Sequence, residues 1–178
     1  MNSDLLSRLQ NIGDMNEVYY YLGLYTLTPK DKFAVIKISG ECVESSLDSL
    51  VEDLTLLQNI GLVPTVTHGW GSTLTRMLIE AGIESKFVNG DRHTDATIMT
   101  YVREIAAETR SKLVEAIKAR GGRAIGLDQS HGIIIAKDKD EHGYGEYNGD
   151  IVQINPDPIR HSTSMGLIPI ISPIGLSQ

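Results

Sequence analysis

Residues 33–72 read FAVIKISGECVESSLDSLVEDLTLLQNIGLVPTVTHGWGS, and most of the architecture is already legible there. FAVIKI (33–38) is a β-branched apolar run bounded by breakers, most simply a buried strand, and it ends at Ser39-Gly40. Ser45 with Asp48 three residues on signals a helix start. Leu47, Leu50, Val51, Leu54 and Leu57 give that helix an apolar face, and Gly61 stops it. LVPTVT (62–67) is a second strand. His68-Gly69-Trp70-Gly71-Ser72 follows at once and leads into a helix carrying Leu74, Met77, Leu78 and Ala81, stopped at Gly82. A strand, helix, strand, glycine loop and helix in that order predict an α/β fold: a three-layer sandwich around a mainly parallel central sheet, with ligands at the carboxyl ends of its strands.

Toward the carboxyl terminus, IESKFVNGDRHT (83–94) lacks a clear period but contains Asn89-Gly90, a strong turn signal, and reads as a hairpin or irregular crossover. A long helix is predicted from about Asp95, with Ile98, Val102, Ile105, Ala106, Thr109, Leu113 and Ile117 on one face, until Gly121-Gly122. RAIGLD, GIIIAK and DIVQIN read as short strands, Pro156-Asp157-Pro158 opens a short helix, and LIPIIS (167–172) is a final buried strand. Toward the amino terminus, residues 1–30 form a predicted helical arm hinged at Gly13, ahead of a domain over 31–178. Tyr19, Tyr20, Tyr21 and Tyr25 in that arm suit a surface that packs on another subunit or on its own domain.

Composition narrows the functions. The 178 residues carry 16 Lys+Arg against 23 Asp+Glu, a formal charge of -7, which is the wrong balance for a general nucleic-acid binder. The single Cys42 cannot close an intramolecular disulfide, so a reducing cytoplasm is expected. Neither HExxH nor a Cys/His cluster is present, so no protein-bound metal is expected. No apolar run is long enough to span a membrane.

Two loops, Ser39-Gly40 and Gly69-Trp70-Gly71-Ser72, follow strands and lead toward helices, where backbone amides favour phosphate or carboxylate. Taken alone, each loop is more often a mere turn. GxxxxGK[ST] is absent, and Leu74 stands where a dinucleotide fingerprint needs its third glycine. Lys37 interrupts an apolar strand near its end, where a buried ammonium would need an anion; the alternative is a surface lysine on an edge strand. Arg92 lies in the turn-like NGDRHT, and its planar fork can hold a carboxylate, or it pairs with Asp91 or Asp95. His68 is read as orienting the glycine loop.

FAVIKISG, LQNIGLVPTVTHGWGS, AGIESKFVNGDRHT, GGRAIGL, GDIVQINPDPI and GLIPIISPIG, in this order and spacing, resemble the acetylglutamate kinase branch of the amino acid kinase family over residues 33–178. The segment NEVYYYLGLYTLTPKDKFAVIK is similar to the arm of bifunctional N-acetylglutamate synthase/kinases, an arginine-regulated group that assembles into oligomers. The resemblance implies transfer of a phosphoryl group from MgATP to the side-chain carboxylate of N-acetyl-L-glutamate. Lys37 would neutralise the moving charge, Ser39 and Gly40 would meet phosphate, Gly69, Trp70 and Gly71 would line the substrate, and Arg92 would grip its α-carboxylate. Ser39, Trp70 and Ser72 depart from the family's glycines and proline, and Trp70 either fills the pocket or points away. The family's nucleotide half follows the Pro-Ile-Gly strand, where this chain stops. The resemblance therefore implies either a kinase completed by that half or a non-catalytic domain that senses arginine or N-acetylglutamate.

Overall fold

A computed structural model describes Asp14, Asn16 and residues 34–139 and 143–178. Apart from Asp14 and Asn16, the predicted amino-terminal arm lies outside the described residues. Among the described residues the elements run in the order β1 (Val35–Ile38), α1 (Gly40–Ser45), α2 (Leu47–Asn59), β2 (Thr65–His68), α3 (Gly71–Glu80), β3 (Phe87–Val88), β4 (Asp91–Arg92), α4 (Ala96–Ala119), β5 (Ala124–Leu127), β6 (Ile134–Asp138), β7 (Gly149–Ile154), α5 (Asp157–Ser164), β8 (Ile168–Ile171) and β9 (Leu176–Ser177). A single 3-10 turn, Gln129–His131, follows β5.

The main sheet has the order β1-β2-β8-β5, parallel throughout, which bears out the expected α/β class. β8 is the last strand made but lies inside the sheet, and all four of its residues are buried. Alternation along it divides the layers. Ile168 and Ile170 join Val51, Leu54, Leu113 and Ile117, so α2 and α4 cover one face. Ile171 joins Leu127 and Ile159, so α5 covers the other. Burying Leu54, Leu113 and Ile117, each 1% exposed or less, stabilises the fold by about 1.5 to 3 kcal/mol apiece.

The local chemistry of several elements is as predicted. Asp95 caps α4 by accepting from the Ile98 amide at 2.8 Å. Asn89 and Gly90 both take positive φ, 49° and 93°, and so close the β3–β4 hairpin. α2 begins one residue later than the Ser45 signal, with Ser46 at its cap. α1 is an addition: Ser39 accepts from the Cys42 amide at 3.1 Å and starts this short helix. β6, β7 and β9 form a second, three-stranded sheet that rises beside the carboxyl edge of the first.

Candidate functional site

The carboxyl ends of three adjacent strands meet in a buried polar cluster. His68 ends β2, Ser172 follows β8 and Asp128 follows β5. His68 Nε2 lies 3.2 Å from Ser172 Oγ, which also accepts from Arg110 Nη1 at 2.8 Å and donates to the Ala106 carbonyl at 3.3 Å. Because the serine proton is directed at Ala106, the histidine meets the oxygen as the Nε2–H tautomer. Arg110 closes the cluster on Asp128 at 3.2 Å. Burial, reinforced by the Arg110 charge, pulls the His68 pKa from 6.5 to about 4, so the imidazole is neutral at physiological pH. Its Nδ1 is buried without a hydrogen-bond partner.

Above this cluster the two glycine loops pack on each other. A Cβ on Gly40 would stand 3.0 Å from the Gly69 carbonyl oxygen and 3.1 Å from Trp70 Cα, so glycine is required there for loop-to-loop contact. The Gly69 amide donates to the Ile38 carbonyl at 2.7 Å, extending the β1–β2 ladder by one bond. Glu44 of α1 accepts from Thr73 at 2.6 Å and from Arg76 at 2.8 Å, which ties α1 to α3. Those bonds, the Arg76 one foremost, hold the Glu44 carboxyl down at about 2.

Beside the loops opens a cavity of about 700 Å³. Trp70, Leu74 and Phe87 make an apolar wall, and Met99 and Val102 of α4 continue it; the second sheet closes the opposite side. Arg92 enters between them. Its guanidinium donates to Ser85 Oγ, to Thr75 Oγ1 at 2.7 Å and to the Gly71 carbonyl at 3.5 Å, and it lies 4.7 Å over the Phe87 ring. Partial burial lowers its pKa, yet it stays a cation held in one orientation by neutral partners. A preoriented cation with no carboxylate among these hydrogen-bond partners, set in an apolar wall, suits one anionic group attached to an apolar one.

The structure brings together Trp70, Gly71 and Arg92, and places them on the cavity. It corrects the reading of Lys37 as a buried ammonium. Lys37 is exposed and does not line this cavity, because among the described residues β1 is the edge strand and Ile36 and Ile38 take the face turned to the core. Val35, on the same side as Lys37, is 63% exposed. Gly69 is also corrected as a free amide donor, since its N–H is committed to Ile38. Ser39 and Gly40 stand outside the cavity lining, engaged in the α1 cap and the loop contact. Sequence reasoning missed Arg110, Ser172, Thr75, Ser85 and the cavity-lining Arg103 with its Tyr147 ring contact. Arg110 carried a signal: it sits four residues after Ala106 and three before Leu113, along the apolar stripe of α4.

A parallel α/β sheet with a cavity at the strands' carboxyl edge defines an α/β domain of the class whose ligand sites lie at that edge. The family model "Amino acid kinase family" matches residues 32–178, and the chain belongs to that family. It is 35% identical over 164 residues to "Protein arg11, mitochondrial" of Schizosaccharomyces pombe, covering 92% of this chain and 18% of that protein. It is also 35% identical over 159 residues to the acetylglutamate kinase of Xanthomonas campestris pv. campestris, covering 89% of this chain and 37% of the relative. Among solved structures, N-acetylglutamate synthase from Neisseria gonorrhoeae complexed with coenzyme A and N-acetyl-glutamate shares the fold, with TM-score 0.76, 21% identity, and coverage of 93% of this chain and 39% of that one. The chain thus spans well under half the length of these proteins. No described helix is long and apolar enough to cross a membrane.

Proposed function

We propose that this chain forms the amino-acid-binding half of an acetylglutamate-kinase-type site of arginine biosynthesis, taking N-acetyl-L-glutamate. The observation that carries the reading is Arg92, held by Ser85 and Thr75 beside the Trp70-Gly71 turn in an apolar-walled cavity. One carboxylate of the ligand meets the guanidinium, and its acyl group lies on the wall. The relatives named acetylglutamate kinase support the choice of ligand.

Where a nucleotide-binding half is supplied, the second carboxylate is phosphorylated. A carboxylate is already an adequate nucleophile, so the site needs positioning and charge neutralisation and no general base. The described residues do not themselves fit MgATP. The Gly69 amide is spent, Ser39 caps α1, Lys37 stands outside the cavity, and no group of three His, Cys, Asp or Glu among them could hold a metal ion. The chemistry of the nucleotide is therefore left to residues beyond these.

The exposed Lys37 favours a second reading, a non-catalytic domain that senses arginine or N-acetylglutamate and assembles as a homo-oligomer. Thermal-shift titration of the protein with N-acetyl-L-glutamate, arginine and MgATP, together with an ADP-release assay, separates the two. Stabilisation by N-acetyl-L-glutamate that disappears in Arg92→Ala supports the shared binding step. ADP release assigns the kinase reading, and arginine stabilisation without ADP release assigns the sensor. Failure of both amino-acid ligands to stabilise the fold overturns both.

A further inference from the structure

Trp70 is the chain's only tryptophan, and it stands at the cavity wall without a side-chain cap bond to α3. What fixes it lies underneath. The His68 and Trp70 rings meet edge to face, with centroids 5.7 Å apart and planes at 63°. A ring can orient a neighbour only if it is itself held, and His68 is held from the adjacent strand, by Ser172 at the β8 end, 104 residues away in sequence. Ser172 is in turn fixed by Arg110 and the Ala106 carbonyl of α4.

The sequence makes room for this arrangement. A Cβ on Gly126 would stand 2.9 Å from Cδ and 3.0 Å from Cγ of Arg110, so a larger residue there would push the Arg110 side chain from its present path to Ser172. Arg110 also spends its charge on Asp128 at 3.2 Å, and Asp128 is bound by Ser130 and His131. His68 and Ser172 are each 1% exposed, and neither lines the cavity. Their reach to a ligand is through Trp70.

We propose that His68, Ser172 and Arg110 are positioning residues for Trp70: the serine and arginine pin the imidazole, and the edge-to-face contact between the two rings fixes the indole as the wall that selects the ligand's apolar group. The ligand-selecting part rests on the N-acetyl-L-glutamate reading, whereas the positioning of the indole does not.

Because Trp70 is the sole tryptophan, its emission in the intact protein reports the wall directly. Ser172→Ala should shift that emission and increase its quenching by acrylamide, and Ser172→Thr, which keeps the hydroxyl, should restore both. His68→Ala should act in the same direction as Ser172→Ala. Leu54→Ala, a change in the core where α2 packs with Leu113, Ile117, Ile168 and Ile170, should lower the melting temperature and leave the Trp70 emission of the folded protein as it was. Equal emission and quenching in the wild type, Ser172→Ala and His68→Ala overturn the proposal, as does a shift in Leu54→Ala of the same size. If Ser172→Ala fails to fold, His68→Gln, which loses the aromatic edge, carries the same expectation. Titration with N-acetyl-L-glutamate then reads the second part: Ser172→Ala should weaken binding about tenfold, equivalent to about 1.4 kcal/mol. Altered emission with no binding in the wild type would remove the ligand reading and keep the positioning.

Discussion

Arg92 and Lys37 are two cations at the same end of one parallel sheet, in opposite circumstances. Arg92 lies on a hairpin folded against α3, bonded to Ser85 and Thr75 and stacked over Phe87, in the cavity before any ligand arrives. Lys37 lies on the edge strand, on the exposed face. The difference teaches that the Arg92 side of the cavity is preorganised within these residues, whereas Lys37 is not held by the fold. Preorganised donors lose little freedom on binding, so the first region should bind a ligand unaided.

The largest expected effect falls on the preorganised side. Leu78, 0% exposed, packs α3 on Met99 and Val102 behind the Trp70 wall. Leu78→Ala should cost about 2 to 5 kcal/mol in denaturant unfolding. A cost below about 1 kcal/mol would show that the wall is not packed as described.

Next comes the pH dependence of the buried cluster. The unfolded imidazole of His68 takes up a proton near pH 6.5, the folded one only near pH 4. Between those values the unfolded chain binds more protons, so stability falls as pH falls through this window, by about 3 kcal/mol in total. His68→Phe should flatten that part of the melting-temperature profile between pH 6.5 and 4. An unchanged slope would place the titration elsewhere.

Arg92→Ala should weaken N-acetyl-L-glutamate by about 1.5 to 3 kcal/mol, roughly ten- to a hundredfold, through loss of charge-assisted hydrogen bonds. Lys37→Ala is the smallest case: an exposed residue on an edge strand should move stability by no more than about 0.5 kcal/mol. A larger loss would mean that Lys37 has a partner in the fold and that the two cations are alike.

The strands and helices were legible because their signals are local. The alternation of apolar runs with glycine stops marked β1, α2, β2, α3 and α4, although β2 begins at Thr65, three residues later than read, and Asn89-Gly90 marked the hairpin that carries Arg92. Lys37 was misread for a related reason. FAVIKI has the composition of a strand covered on both sides, and composition does not say that β1 lies at the edge of its sheet. The insertion of β8 between β2 and β5 is likewise a matter of long-range pairing, and so is the meeting of His68 with Ser172 across 104 residues. Arg110 stood on the apolar stripe of α4, but its meeting with Ser172 and the room made for it by Gly126 of β5 depend on long-range packing.

Calorimetric titration of N-acetyl-L-glutamate into the wild-type chain and into Arg92→Ala probes the preorganised cavity most directly. Saturable binding to the wild type, weakened ten- to a hundredfold by the substitution, is the expected result. No binding, or equal affinity in the two proteins, would contradict it.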